Sequence, residues 1–263
     1  MLPKTITLTT DFGLKDPYVA EMKAATLSIC PDCVIVDLTH LVEKFNVREG
    51  AFVLASAASY FPDGTVHVAV IDPGVGTQRR PIAIETKRGF FVGPDNGLLV
   101  LPAEAQGIVR IHEITSRRFM LSHVSGTFHG RDVFAPVAAH LAGGVDIEEM
   151  GPRITELARP KFTAVERGKD SLVGEVLHID DFGNIITNLP AKDLAVFKED
   201  VIRVELSGAT LEIKISRSYA DTKPNEPLAL IGSHNYLEIA LNQGDAAAKF
   251  LTKTGDKVAV TRT

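Results

Sequence analysis

Val66-His67-Val68-Ala69-Val70-Ile71 runs straight into Asp72-Pro73-Gly74-Val75-Gly76-Thr77-Gln78-Arg79. A stretch this apolar, with no alternation that would give one face to water, predicts a central strand covered on both sides. The proline and glycines behind it turn the chain, so Asp72 and Arg79 stand at the end of a buried strand, where open α/β sheets bind ligands. Upstream, Thr5 to Thr9 reads as a strand, Asp16 to Ile29 as a helix with Val19, Met22, Ala25 and Ile29 on one face, and Val34 to Leu38 as a second buried strand. Asn46 is placed to N-cap a helix over Val47 to Tyr60, with Glu49 completing a capping box and Pro62-Asp63-Gly64 ending the helix. Downstream, Pro81 to Glu85 and Phe90 to Val92 are expected as neighbours of the central strand, and a last helix from Asp132 to Leu141 closes on Ala142-Gly143-Gly144. Strands exchanging with helices in this order imply an α/β domain with a mostly buried central sheet.

From Ser171 onward the period changes. VGEVLHI, VIRVEL, TLEIKI, LALIG, YLEIAL and VAVTR are short runs of mostly alternating character separated by turn residues, which implies a smaller all-β, barrel-like C-terminal domain. Gly151 to Asp170 carries Pro152, Pro160 and charges without clear period. The expected division is an α/β domain over 1–155, a linker over 156–170 and an all-β domain over 171–263.

Composition removes several functions. Lys+Arg 28 against Asp+Glu 33 gives a formal charge of −5 with no compensating basic block, which excludes a phosphate-backbone-driven nucleic-acid binder. The longest apolar stretch, Ala51 to Phe61, is interrupted by Ser56, Ser59 and Tyr60 and falls short of the roughly 20 residues that span a bilayer, so no membrane role is expected. The opening MLPK has no charged n-region, apolar h-region or cleavage site, and the expectation is a cytoplasmic protein. Cys30-Pro31-Asp32-Cys33 follows a helix instead of opening one, and no second pair completes a four-thiolate site, so neither redox catalysis nor zinc is expected there.

Polar clusters gather where strands end. Asp11, in Thr9-Thr10-Asp11-Phe12-Gly13, can accept two hydrogen bonds from a vicinal diol such as a ribose, or cap the following helix. Asp72 and Arg79 sit on a turn flexible enough to bring them together; the G-x-G between them lacks the third glycine of a dinucleotide site and the Lys-Ser/Thr of a P-loop. Gly93-Pro94-Asp95-Asn96-Gly97 is explained first by turn chemistry. In Gly126-Thr127-Phe128-His129-Gly130-Arg131-Asp132, His129 is flanked for access and Asp132 is a candidate N-cap. In the β half, His178-Ile179-Asp180-Asp181-Phe182-Gly183-Asn184 offers an aromatic face for a purine, an amide for its edge and carboxylates for an ammonium group, or a plain hairpin. Ile231-Gly232-Ser233-His234-Asn235-Tyr236 adds a hydroxyl before a strand whose Glu238 faces solvent or a ligand.

Taken together, TTDFG, IDPGVGTQRR, GPDNGLL, TFHGRDVFAP, HIDDFGN and IGSHNYLEIAL resemble, in the same order, the motifs of the S-adenosyl-L-methionine hydroxide adenosyltransferase family, the hydrolytic relatives of fluorinase and chlorinase. The resemblance spans nearly the whole chain and implies hydrolysis of S-adenosyl-L-methionine to adenosine and L-methionine, without cofactor or metal, in a homotrimer with sites at subunit interfaces. It also implies that Asp72, Arg79 and His129 surround the attacking water, that Asp11 holds the ribose and that Phe182 and Asn184 hold the adenine. Asp180, with Asp181 as the alternative, Ser233 and Glu238 would hold the methionine end. Some members prefer the (R)-sulfonium epimer. A halide at Asp72 would meet like charge, so water is the expected nucleophile. Pairing with Arg79 would weaken Asp72 as a base, which favours His129 as proton acceptor. Two other classes fit the same residues: a metal-dependent hydrolase using Asp72, His129, Asp132 and Asp95, and a non-catalytic nucleoside or S-adenosyl-L-methionine sensor.

Overall fold

The structure, a computed structural model, describes residues 4–194 and 201–262, so Met1 to Pro3, on which the absence of a leader was argued, lie outside it. The chain divides into two compact units, Met1–Arg159 and Pro160–Thr263.

In the first unit β1 (Thr5–Thr10), α1 (Tyr18–Ile29), β2 (Val34–Thr39), α2 (Val47–Ala58) and β3 (Thr65–Val70) alternate as expected. They are followed by β4 (Pro81–Thr86), β5 (Gly89–Pro94), α3 (Val100–Gln106), β6 (Ile108–Glu113), α4 (Ala135–Ala142) and the short β7 (Arg153–Ile154). The sheet order is β2-β1-β3-β5-β4-β6-β7. β1 pairs parallel with β2 on one side and β3 on the other, so the chain reverses its winding at β1. That reversal leaves a crevice beyond the carboxyl ends of β1 and β3, the usual ligand position in such sheets. Thr10 and Val70 are paired at those ends, which delivers Asp11 and Asp72 to the crevice from adjacent strands.

Every residue of β1 and β3 is buried. Ile6, Leu8, Val66 and Val68 pack with Met22, Phe134, Val137 and Ala138 into one core; full burial of such side chains contributes about 1.5–3 kcal/mol each. β2 differs from expectation. It is the sheet edge, with Val34 and Asp37 exposed and the rest half-buried, because among the described residues nothing pairs beyond it. β4 is not a neighbour of β3 either; it lies outside β5 and runs antiparallel to it. Asn46 does cap α2, its side chain accepting the Glu49 amide, but the Glu49 carboxylate takes the Glu43 amide instead of closing the box. The helix expected from Asp132 begins earlier, as a π-helical turn over Gly130–Phe134 that runs into α4. Asp132 is therefore no N-cap: fully buried, it accepts the Ser125 amide and the Arg131 guanidinium. Cys30 and Cys33 form a disulfide, which the sequence reading did not assign; a bridge over so short a loop constrains the chain little.

The second unit is a closed barrel. β8 (Glu166–Arg167) leads into β9 (Ser171–Ile179), β10 (Ile185–Pro190), the turn α5 (Ala191–Leu194), β11 (Val201–Leu206), β12 (Ala209–Ser216), β13 (Pro227–Ile231), β14 (Tyr236–Leu241), α6 (Ala246–Phe250) and β15 (Lys257–Arg262). The order β10-β14-β13-β12-β11-β15-β9 closes through β9–β10, with β8 outside the ring. Alternation in β11 puts Ile202, Val204 and Leu206 inside and Val201, Arg203 and Glu205 outside. β10 was missed because IITNLP is buried almost throughout and does not alternate. No helix among the described residues is long and apolar enough to cross a membrane.

Candidate active site

The crevice at the ends of β1 and β3 holds a cavity of about 250 Å³ whose lining includes Asp11, Phe12, Tyr18, Asp72, Phe128 and His129. That is below the roughly 300–1,000 Å³ of ordinary ligand sites, room for only part of a ligand of usual size. Its polar centre is a chain of three side chains. Arg79 Nε donates to Asp72 Oδ1 at 3.1 Å and Oδ2 at 2.9 Å, and its Nη2 donates to Oδ2 at 2.5 Å. The same Nη2 lies 2.8 Å from His129 Nδ1. Asp72 and Arg79 are both nearly excluded from solvent, and the guanidinium lies 5.3 Å over the Phe134 ring, which fixes its plane. Arg79 Nη1 is buried and meets no acceptor among the described residues.

The turn that presents this pair is shaped by Gly76. It has φ +75°, and a side chain there would run into the Gly126 carbonyl, so the glycine keeps the Asp72 turn against the His129 loop. The second glycine of the G-x-G is thus a packing requirement between the two loops, while a Cβ at Gly74 would meet only ordinary contacts.

The hydrogen bonds decide the histidine's protonation. A guanidinium only donates, so Nδ1 must accept, and neutral His129 carries its proton on Nε2. Burial first, and the Arg79 charge second, hold His129 below the usual histidine value. Asp11 lines the same cavity; one of its oxygens, Oδ2, accepts the Phe45 amide at 2.8 Å, and it does not cap α1, whose N-cap is Pro17. Phe12, Tyr18 and Phe128 meet edge-on at 5.3–6.0 Å and form the apolar wall. The sequence reading named none of these rings as site residues, although Phe12 and Phe128 lie inside the quoted motifs.

The four residues of the metal reading do not converge. Asp72 is engaged by Arg79, Asp95 by Arg80 and Asp132 by Arg131, and among the described residues no group of three or more His, Cys, Asp or Glu side chains is arranged to hold an ion. For Asp132 burial opposes the charge, but Arg131 and Ser125 outweigh it and leave the carboxyl below its usual value. Asn96 donates to the Ile71 carbonyl and Asp95 accepts the Ala158 amide, in keeping with turn chemistry for that segment.

The barrel carries a second cavity, of about 560 Å³, lined by Asp180, Phe182, Asn184, Tyr219 and the Leu241–Gly244 turn. Phe182 is 80% exposed and offers a free ring face. Asp180 spends its carboxylate on the loop: Oδ1 accepts the amides of Phe182 and Asn184, and Oδ2 accepts Asn184 Nδ2 at 2.9 Å. This fixes the Asn184 side chain with Oδ1 left as its acceptor. Ser233 stands exposed on the β13–β14 turn, and Glu238 is 5% exposed on β14. Neither lines this cavity; Glu238 is linked to it by Tyr219, whose hydroxyl donates to Oε1 at 2.5 Å. Tyr219 follows Ser218 in a polar turn, and no motif in the sequence marked it.

Residues 6–151 match the SAM hydroxide adenosyltransferase N-terminal domain and residues 174–259 the corresponding C-terminal domain. The chain is 40% identical, over 97% of each sequence, to an (R)-S-adenosyl-L-methionine hydrolase of Salinispora tropica. It is 30% identical to a fluorinase of an Actinoplanes species, over 98% of this chain and 97% of that one. An uncharacterized conserved protein from Thermotoga maritima, known from its crystal structure, superposes with a TM-score of 0.89 at 40% identity, over 98% of this chain and 100% of the other.

Proposed function

The chain belongs to the SAM hydroxide adenosyltransferase family, and from that premise we propose that it hydrolyses S-adenosyl-L-methionine to adenosine and L-methionine at the Asp72–Arg79–His129 chain. The observation that carries this reading is the single guanidinium that engages at once a carboxylate and an imidazole, both of which line one cavity with Asp11.

A water oxygen attacks ribose C5′; the C5′–S bond breaks and its electron pair goes to sulfur, so methionine leaves as a neutral thioether. The proton lost by water needs an acceptor. The sequence argument favoured His129, but Nδ1 is occupied by Arg79 and Nε2 bears hydrogen, so the imidazole donates and Asp72 accepts. Nε2–H of His129 stabilises the developing hydroxide, and the buried charge of Arg79, held against Asp72 and His129, adds a positive field beside it. The aromatic wall keeps the charge exchange in a low-dielectric setting, where it is stronger. Asp11 accepts from the ribose through Oδ1, Phe182 stacks on adenine, and Asn184 Oδ1 accepts from its amine. Asp180 serves the adenine by holding Asn184, and Ser233 and Glu238 receive the methionine end. The carboxylate at the nucleophile position disfavours a halide, in keeping with the higher identity to the hydrolase than to the fluorinase. We further propose the (R)-sulfonium epimer, the substrate for which the Salinispora relative is named, and a homotrimer in which the α/β cavity of one subunit meets the barrel cavity of the next.

Incubation in oxygen-18 water tests the reaction: the label should appear at the 5′ oxygen of adenosine, and unlabelled adenosine or intact substrate overturns it. Intact substrate would identify a sensor. Chelator treatment should leave the rate unchanged; loss restored by added metal would return the metal-dependent hydrolase.

A further inference from the structure

Glu238 is an acid buried on a barrel strand, and its two oxygens have different surroundings. Oε1 accepts the Tyr219 hydroxyl at 2.5 Å. Oε2 lies beside Gly232, where a Cβ would come within 2.6 Å of it, so any larger residue at that position would crowd this oxygen. The Tyr219 turn is held from several sides. Asp221 accepts the amides of Arg217 and Ser218 and the Ser218 hydroxyl, and Asn242 donates to the Thr222 carbonyl. A turn pinned this heavily holds one residue in one place, and that residue spans two features: it lines the cavity shared with Phe182 and Asn184, and its hydroxyl fixes the carboxylate.

We propose that Tyr219 is a positioning residue for the amino-acid end of the substrate, orienting Glu238 so that Oε2 receives the ammonium group of the methionine moiety. The inference rests on the hydrolase reading above for the identity of the ligand. Burial works to neutralise Glu238, raising its pKa, and the neighbouring Asp180 charge adds to that; the Tyr219 hydrogen bond opposes both and favours the charged form a cation requires. Tyr219 itself stays a neutral donor, since burial and the Glu238 bond push its phenol well above its ordinary value. Asp180 contributes negative field to both groups while its own oxygens serve the loop.

The test is Tyr219→Phe, which keeps the ring against the purine and removes only the hydroxyl. Expected is a KM for S-adenosyl-L-methionine raised about tenfold, the scale of a hydrogen bond to a charged group, with kcat within twofold of wild type and adenosine affinity unchanged. Glu238→Gln should reproduce the KM effect, and in that background Tyr219→Phe should add little. Unchanged KM in Tyr219→Phe, a fall confined to kcat, or an equal loss of adenosine and S-adenosyl-L-methionine binding each overturns the proposal; the last would mark a collapsed cavity, with thermal melting as the independent check. Wild-type protein that releases no adenosine defeats the hydrolase reading instead, and binding of methionine alone to wild type and Tyr219→Phe then still decides the role of Tyr219.

Discussion

The two cavities are lined by opposite kinds of chemistry. In the α/β unit a carboxylate, a guanidinium and an imidazole spend their hydrogen bonds on one another, leaving Asp72 and His129 on the cavity wall for whatever enters. In the barrel the carboxylate of Asp180 is spent on its own loop, so that an amide and an aromatic ring face outward in fixed orientation. The first arrangement suits a charge that develops during a reaction. The second suits a shape that is already there. Substitutions in the first should therefore slow turnover, and substitutions in the second should weaken binding.

The largest effect expected from that contrast is at Asp72. Asp72→Asn keeps the shape and an acceptor for Arg79 but removes the base, and kcat should fall by about a thousandfold or more, with KM little changed. Asparagine is preferred to alanine because removing the carboxylate outright leaves a buried guanidinium unpaired, at a cost of about 3–5 kcal/mol. A KM effect alone, measured by adenosine release over a range of substrate concentrations up to saturation, would erase the distinction between the two cavities.

Acid should also separate the two units. His67 lies buried in β3, stacked on Phe91 and bonded to Thr7, and burial, aided by the Arg88 charge, lowers its pKa to about 4. The unfolded chain binds this proton near pH 6.5 and the folded one does not until about pH 4, so the contribution is complete above 6.5 and is lost as pH falls through that window. On the order of 3 kcal/mol is involved. Asp37 and Asp132 in the same unit are held low by their partners and add to the loss at more acid pH. In the barrel the shifts have mixed signs. Glu238 is raised by burial and so favours folding more as pH falls, while His234, lowered by burial, and Asp221, lowered by the Arg217 amide, work the other way. Hydrogen exchange between pH 7 and 4.5 should show protection lost first in β1, β3 and β5, and His67→Leu should blunt the loss; equal loss in both units would refute it.

What the sequence disclosed follows the range of the interactions involved. Local rules sufficed for Asn46 as a cap, for the burial of β3 and for the alternation of β11. They failed where a partner far along the chain decides. The composition of Val34 to Leu38 suggests a core strand because it is apolar, yet among the described residues nothing pairs beyond it. Asp132 looked like a cap, but Arg131 and the Ser125 amide claim it. The site follows the same logic. Motifs marked Asp72, Arg79 and His129 individually, but the proposed move of the base from His129 to Asp72 rests on the direction of the Arg79 bond to Nδ1, which no motif discloses. Tyr219 carried no signal because its value lies in reaching Glu238 from a separate turn.

A smaller effect is expected at the barrel's amide. Asn184→Ala should weaken adenosine about tenfold while saturated turnover changes little. Because Asp180 Oδ2 fixes Nδ2, the outward oxygen suits a donor, so a purine with an oxo group in place of the amine should lose affinity to a similar degree on wild type and no further on Asn184→Ala. Asp180→Ala should weaken adenosine as well, through the released amide; calorimetry on the three proteins measures all of this.

The smallest signal is the one that asks whether the two cavities are halves of one site. If the α/β unit of one subunit works with the barrel of its neighbour, a chain carrying Asp72→Asn and a chain carrying Asn184→Ala each lack a different half. Mixed trimers then contain interfaces in which an intact Asp72 meets an intact Asn184. Random assembly from equal parts makes such interfaces about a quarter of the total, so activity at substrate well below KM should recover to about a quarter of wild type after mixing under dissociating conditions and reassociation. Were both halves drawn from the same subunit, no mixed assembly would repair either defect, and the rate would remain the average of the two variants. Sedimentation of the mixture fixes the stoichiometry in the same experiment, and a monomer that is fully active would remove the shared site while leaving the division between reacting and recognising cavities intact.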